Sequence, residues 1–294
     1  MTLMALCAAG VFMGTPPGML PRVLSSFAAE QAAVSMFGEC LGNTFVEKQE
    51  LQLATMSRKS GEHLIVFMHG IGCAKECYAD AFQAAELADF SLCALDFPGH
   101  GQAPSLRENT VEAYAEVALD RIEAVGAKRV SLVAHSMGGA VGLLVAQRMD
   151  VACFVSVEGN LVAEDCALVS AKTARMSFDM FTTKGFYRFS ERLRQSERKD
   201  VQAWARWYPQ CDPVAIHQIS RSLVDWSDGG QLLEYFLNIK NRAYVYGGAE
   251  ERVDYLLPLL KHTKTYSVPD SGHFAMVDNP AGFYEIVAGI VTEE

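Results

Sequence analysis

Leu64-Ile65-Val66-Phe67-Met68 is five apolar residues in a row, with no polar position among them. A strand with one wet face alternates apolar and polar side chains. A strand that does not alternate is buried on both faces, so covering layers must lie on each side of its sheet. Further strand-like runs follow at Ser91–Leu95, Arg129–Ala134, Cys153–Val157, Ala243–Tyr246 and Thr265–Val268. Helical stretches separate or follow them at Lys75–Asp89, Val111–Val125, Met137–Met149, Arg252–Lys261 and Pro280–Val291. In the second of these, Val111, Tyr114, Ala115, Ala118, Ile122 and Val125 recur at helical spacing. Asn109 or Thr110 serves as its N-cap and Gly126 lies just past its end. With two short strands at Phe45–Glu47 and Leu51–Ala54, the pattern predicts the α/β class. Its sheet is a mostly parallel one of eight strands with helices on both faces.

The rhythm breaks between Leu161 and Lys240. This stretch shows no buried strand and holds all three tryptophans, Trp204, Trp207 and Trp226. The division that follows is an N-terminal extension over 1–43, a core made of 44–160 and 241–294, and a helical cap insertion over 161–240. The net charge of −10 comes with no basic cluster dense enough to track a phosphate backbone, so no nucleic-acid partner is expected. Eight cysteines form no C-x-x-C and no paired zinc spacing. Several sit in apolar runs, as buried free thiols do, which points to a reducing, cytoplasmic compartment. Leu3–Met13 has the apolar character of a signal peptide, but no Lys or Arg precedes it and it is too short to span a bilayer. No transmembrane segment is expected.

The chemistry concentrates where strands end. Val130-Ser131-Leu132-Val133-Ala134-His135-Ser136-Met137-Gly138-Gly139 runs from a strand into a helix. A serine at such a junction sits on a sharp turn, which needs small residues two before and two after it; here they are Ala134 and Gly138. The turn exposes Oγ at a helix N-terminus, where free N–H groups favour developing negative charge. His69-Gly70-Ile71-Gly72 follows the strand Leu64–Met68 and can aim a backbone N–H at an oxyanion. The two donors expected are those of Ile71 and Met137. A dinucleotide loop at Gly70-x-Gly72 is disfavoured, because Lys75 stands where the third glycine belongs. Asp96-Phe97-Pro98-Gly99-His100-Gly101 reads as a tight structural turn. Pro269-Asp270-Ser271-Gly272-His273-Phe274 puts His273 on a loop that can reach back to Ser136. His135 reads as a packed, hydrogen-bonded core residue whose side chain points away from the nucleophile. The histidines form no metal spacing, so neither a metal nor another cofactor is expected.

These motifs together resemble the α/β-hydrolase superfamily from about Phe45 to the C-terminus. Ala134 stands where that family usually has glycine. The resemblance implies a Ser-His-acid triad with Ser136 as nucleophile and His273 as base. It excludes the aspartate-nucleophile dehalogenases and epoxide hydrolases of the same fold. Two acids are open. Glu250 stands in Gly247-Gly248-Ala249-Glu250, the usual place in the superfamily. Glu158 closes the apolar strand Cys153–Val157, where some relatives carry their acid. A carboxylate at that position is costly to desolvate without a partner, and His273 would supply one, so Glu158 is preferred. The implied activity is hydrolysis of a carboxylic ester or similar acyl compound, the partner expected being a small-molecule, apolar acyl substrate of open chain length. The alternatives are C–C hydrolysis or a lyase reaction on the same fold, or a ligand-binding, signalling protein that keeps the triad.

Overall fold

The computed structural model describes residues 54–167, 169–249 and 253–293. Seven strands among them build one sheet: β1 (Thr55–Arg58), β2 (His63–Met68), β3 (Ser91–Leu95), β4 (Arg129–His135), β5 (Cys153–Val157), β6 (Arg242–Gly247) and β7 (Lys264–Val268). Their spatial order is β1-β3-β2-β4-β5-β6-β7. Every pair is parallel except the antiparallel pairing of β1 with β3. The sheet thus has seven described strands against eight expected. The strand expected at Phe45–Glu47 lies outside the described residues, as does the 1–43 extension. The edge strand forms at Thr55–Arg58, just past the Leu51–Ala54 expectation. Every residue of β2 after His63, and all of β3 and β5, is buried. Both faces of the central sheet are therefore covered, as unbroken apolar runs require.

Helix α1 (Val111–Val125) begins at Thr110, whose side chain accepts from the Ala113 N–H, and ends at Gly126 in the left-handed region. Helix α2 (Met137–Ala146) follows Ser136. Between β5 and β6 every described element is helical: α3 (Ser170–Ala174), α4 (Phe178–Met180), a π-helical turn Phe181–Gly185, α5 (Phe186–Arg194), α6 (Lys199–Trp207), α7 (Pro213–Asp228), α8 (Gln231–Asn238) and two short 3-10 turns. Helices α9 (Ala275–Asp278) and α10 (Pro280–Thr292) close the chain.

Two helical expectations fail locally. Lys75–Asp89 folds as two 3-10 pieces, Lys75–Phe82 and Ala85–Leu87, with a break at Tyr78. The reason is long-range. Lys75 is drawn inward by both its backbone N–H and its Nζ, each on an oxygen of buried Asp96, at 2.7 and 2.8 Å. Tyr78 Oη donates to the carbonyl of Met68 at 3.0 Å. Arg252–Lys261, of which Arg252 lies outside the described residues, gives only turns and the 3-10 piece Leu257–Leu259. Pro258 within it lacks the N–H an α-helix would need.

The chain turns from β2 to β3 on one side and then crosses to β4 on the other side of β2. That reversal opens a crevice at the carboxyl ends of β2 and β4, where ligands of open α/β sheets bind. Residues 69–72 and Ser136 sit at this point.

Candidate active site

Ser136 takes φ 52 and ψ −122, a conformation an L-residue adopts only under constraint. Hydrogen bonds impose it: its N–H donates to Val157 at 3.1 Å, and its carbonyl accepts from Gly139 at 2.8 Å and Asn160 at 3.1 Å. Close packing explains the glycines. A Cβ on Gly138 would stand 2.5 Å from the Met68 carbonyl, and one on Gly70 would stand 3.0 Å from Ser136 Cβ. The alanine at position 134 fits, fully buried, beneath this turn.

The backbone beside Ser136 is held in a definite orientation. His69 Nδ1 donates to the Gly70 carbonyl at 2.8 Å, and the Cys73 N–H donates to the same oxygen at 3.2 Å. His69 Nε2 meanwhile accepts from the Phe97 N–H at 3.1 Å. In a trans peptide the N–H points opposite to the C=O. The Ile71 N–H therefore faces away from His69 and Cys73. Met137 is the first residue of α2, so its N–H has no partner within the helix.

His273 Nδ1 lies 2.7 Å from Glu158 Oε2. The other carboxylate oxygen of Glu158 accepts from the Gly247 N–H at 3.0 Å. Glu158 is itself at φ 41, just past β5, and 7% exposed. A carboxylate accepting from Nδ1–H makes Nε2 the nitrogen that carries the ring lone pair. Glu250 lies outside the described residues.

Ser136, His273, Gly70, Ile71 and His135 border one cavity of about 20 Å³, room for about one water. The rest of its wall comes from Asn160, Asp165, Val169, Ser170, Trp204 and Phe274. His135 is buried and hydrogen-bonded as expected, but it does not point away from the site. Its Nε2 donates to the carbonyl of His273 at 2.9 Å, and the two rings lie 4.5 Å apart. The reversed backbone of Ser136 carries the neighbouring ring round to the cavity. Burial, and then the adjacent His273, push His135 well below the ordinary histidine value, so it stays neutral. Trp204 was legible only as one aromatic in a helical stretch; its Nε1 is buried without an acceptor, against Gly72. Asn160, Val169 and Ser170 carried no sequence signal at all.

Other groups near the site are inert or structural. Burial raises the Cys73 thiol well above its ordinary range, which removes it as a rival nucleophile. Asp96 and Lys75 form a buried ion pair that ties the loop after β2 to the loop after β3. Gly101 must be glycine there, because a Cβ would stand 2.5 Å from the Asp96 carboxylate. Among the described residues no group of three or more His, Cys, Asp or Glu side chains could hold a metal ion. No described helix is long and apolar enough to cross a membrane.

The buried imidazoles carry a testable pH dependence. Burial lowers His69 to about 4, and burial with the neighbouring His69 lowers His100 to about 3. An unfolded histidine titrates near 6.5, so between these values the unfolded chain binds more protons. Stability should therefore fall as pH drops from about 6.5 toward 4, by at most about 1.4 kcal/mol per pH unit for each such histidine. Urea midpoints at pH 7 and pH 5 would show it, and His100→Gln should make the dependence shallower. Equal midpoints would mean that these rings are already charged in the fold.

Residues 65–286 match the family described as the alpha/beta hydrolase family. The chain belongs to the alpha/beta hydrolases. This alpha/beta hydrolase is 39% identical over 85 residues to a Mycoplasma pneumoniae protein named as an esterase/lipase; the match covers 28% of the chain and 32% of that protein. The chain thus spans about a third of that relative's length. It is 23% identical over 261 residues to 2-succinyl-6-hydroxy-2,4-cyclohexadiene-1-carboxylate synthase of Enterobacter sp. (strain 638), covering 81% of the chain and 95% of that protein. Among solved structures it resembles MenH from S. aureus, with a TM-score of 0.67 at 16% identity, covering 82% of this chain and 98% of that one. The structural likeness speaks for the fold alone.

Proposed function

We propose that this alpha/beta hydrolase is a serine esterase that cleaves a small carboxylic ester through an acyl-enzyme. One observation carries the reading: a buried carboxylate, Glu158, fixes the His273 tautomer on the wall of the same cavity as a strained serine at a helix N-terminus. Ser136 Oγ attacks the acyl carbonyl while His273 Nε2 takes its proton. The Ile71 and Met137 N–H groups hold the oxyanion, each donor contributing about 3 kcal/mol to the transition state. His273 then protonates the leaving alcohol and later activates the water that frees Ser136.

Residues 161–240 act as the cap in this reading, because Asp165, Val169, Ser170 and Trp204 supply one wall of the cavity. Ile71, Val169, Trp204 and Phe274 make part of that wall apolar, and its size favours a short acyl group. The esterase/lipase name of the Mycoplasma relative agrees with this chemistry. A cytoplasmic setting is supported by Cys73, Cys77, Cys93, Cys166 and Cys211, which are free thiols and buried.

The test is a series of p-nitrophenyl esters from acetyl to palmitoyl, with a fluorophosphonate probe and peptide mapping of the adduct. Turnover highest for the shortest acyl groups and a probe adduct on Ser136 are expected. A probe that leaves Ser136 unmodified would refute the nucleophile. A second reading, a lyase-type reaction in which the same groups move protons, draws on the synthase that matches most of the chain. Probe labelling without turnover of any ester would favour it.

A further inference from the structure

Four of the seven large apolar side chains exposed among the described residues fall within residues 176–187: Met176, Phe178, Met180 and Tyr187, at 40 to 58% exposure. Scattered exposed apolar side chains are ordinary; a concentration of them is not. This stretch also departs from the rest of the chain in charge. Residues 172–194 hold six basic side chains, Lys172, Arg175, Lys184, Arg188, Arg192 and Arg194, against two acidic ones, in a chain of net charge −10. All six are exposed. Only Arg194 forms an ion pair among the described residues, with Glu191.

The helical geometry gathers the two kinds of side chain. From Phe178 to Arg194 the backbone is helical throughout, with the π-helical turn Phe181–Gly185 in its middle. Phe181, Phe186, Ser190 and Leu193 are buried and mark the inner face. Met180, Lys184, Tyr187 and Arg188 are all exposed, away from that inner face. Met176 joins them from the preceding turn: its sulfur lies 2.9 Å from where a Cβ on Gly185 would stand. Phe178 sets its ring edge-on to His217 at 5.6 Å and stays exposed.

We propose that this ridge is a docking surface for an anionic lipid bilayer. Apolar and aromatic side chains interleaved with Lys and Arg are what an interfacial helix presents to headgroups: the apolar groups enter the boundary and the cations meet the phosphates. The charge argues for a negative partner, since the ridge is positive while the chain as a whole is negative. The helices before and after this ridge, α3 and α6, supply Ser170 and Trp204 to the wall of the Ser136 cavity, so docking here would bring that side of the cavity to the lipid surface.

Binding is measured on the full chain, apart from catalysis, by flotation with phosphatidylcholine vesicles containing about a third phosphatidylglycerol. The wild type should float with these vesicles, less with pure phosphatidylcholine, and less again as salt is raised. Lys184→Glu with Arg188→Glu, and separately Met180→Ser with Tyr187→Ser, should each weaken binding about tenfold or more. Hydrolysis of a water-soluble p-nitrophenyl ester without vesicles should be unchanged in both, which separates this surface from the active-site reading. A wild type that floats with neither vesicle would overturn the proposal, as would binding that both double variants retain. Self-association abolished by the same substitutions, with no vesicle binding, would assign the ridge to a second copy of the chain instead.

Discussion

Ser136→Ala should lower ester turnover by about 10⁴- to 10⁶-fold while leaving the fold intact. The substitution removes one oxygen. It leaves the three backbone hydrogen bonds that hold residue 136 in its reversed conformation, on Val157, Gly139 and Asn160. Ser136 makes no side-chain cap bond to α2, so stability should change by no more than about 0.5 kcal/mol. In the proposed mechanism, what remains is a site with two oxyanion donors and a base but no group to acylate. Residual catalysis over water of about 10³-fold from those donors is the expected floor. Single-turnover kinetics on p-nitrophenyl acetate, with the melting temperature as the control for folding, reads both quantities. A variant that keeps its turnover would show that the acyl group is never carried on Ser136, and the acyl-enzyme mechanism would be withdrawn.

The parts of this site that could be read from the chain share one property: they are local. Leu64–Met68 and Cys153–Val157 are continuous apolar runs because each is buried on both faces, and that burial is written in neighbouring residues. The turn at Ser136 shows as small residues at fixed offsets. Glu158 stands out because a charge closes a run that has no water around it. The parts that could not be read depend on register and packing across the fold. Lys75 looks like a solvated helix residue until the parallel pairing of β2 with β3 brings Asp96 beside it. His135 alternates away from Ser136 if the strand simply continues; the positive φ at residue 136 is what ends that alternation. Trp204, Val169 and Ser170 reach the cavity from helices whose own periodicity describes only their inner faces. The last helical expectation near the site, Arg252–Lys261, failed on Pro258, a local signal that the apolar spacing around it outweighed.

Glu158→Gln should cost about 10³- to 10⁴-fold in kcat, with little change in KM and no loss of folding. The geometry gives the reason. One oxygen of Glu158 accepts from Gly247 and the other from His273 Nδ1, so both sides of the carboxylate face donors. A glutamine offers one acceptor and one donor to the same two positions. If its oxygen keeps the Gly247 N–H, its NH₂ meets Nδ1, and the imidazole must move its proton to Nε2 to accept that bond. His273 then presents a donor to Ser136 and cannot take its proton. If the amide turns over, the NH₂ opposes the Gly247 N–H and that buried donor goes unpaired, at a cost of about 1–3 kcal/mol. The first arrangement is therefore preferred, and it is the inactive one. It also removes the negative charge that stabilises the imidazolium formed during attack. Glu250→Gln should leave kcat near the wild-type value. The pair of variants separates the two candidate acids. A large loss in Glu250→Gln with near-normal turnover in Glu158→Gln would move the acid to the loop after β6. The 2.7 Å contact between Glu158 and His273 would then be a structural hydrogen bond that orients the ring without supporting its charge.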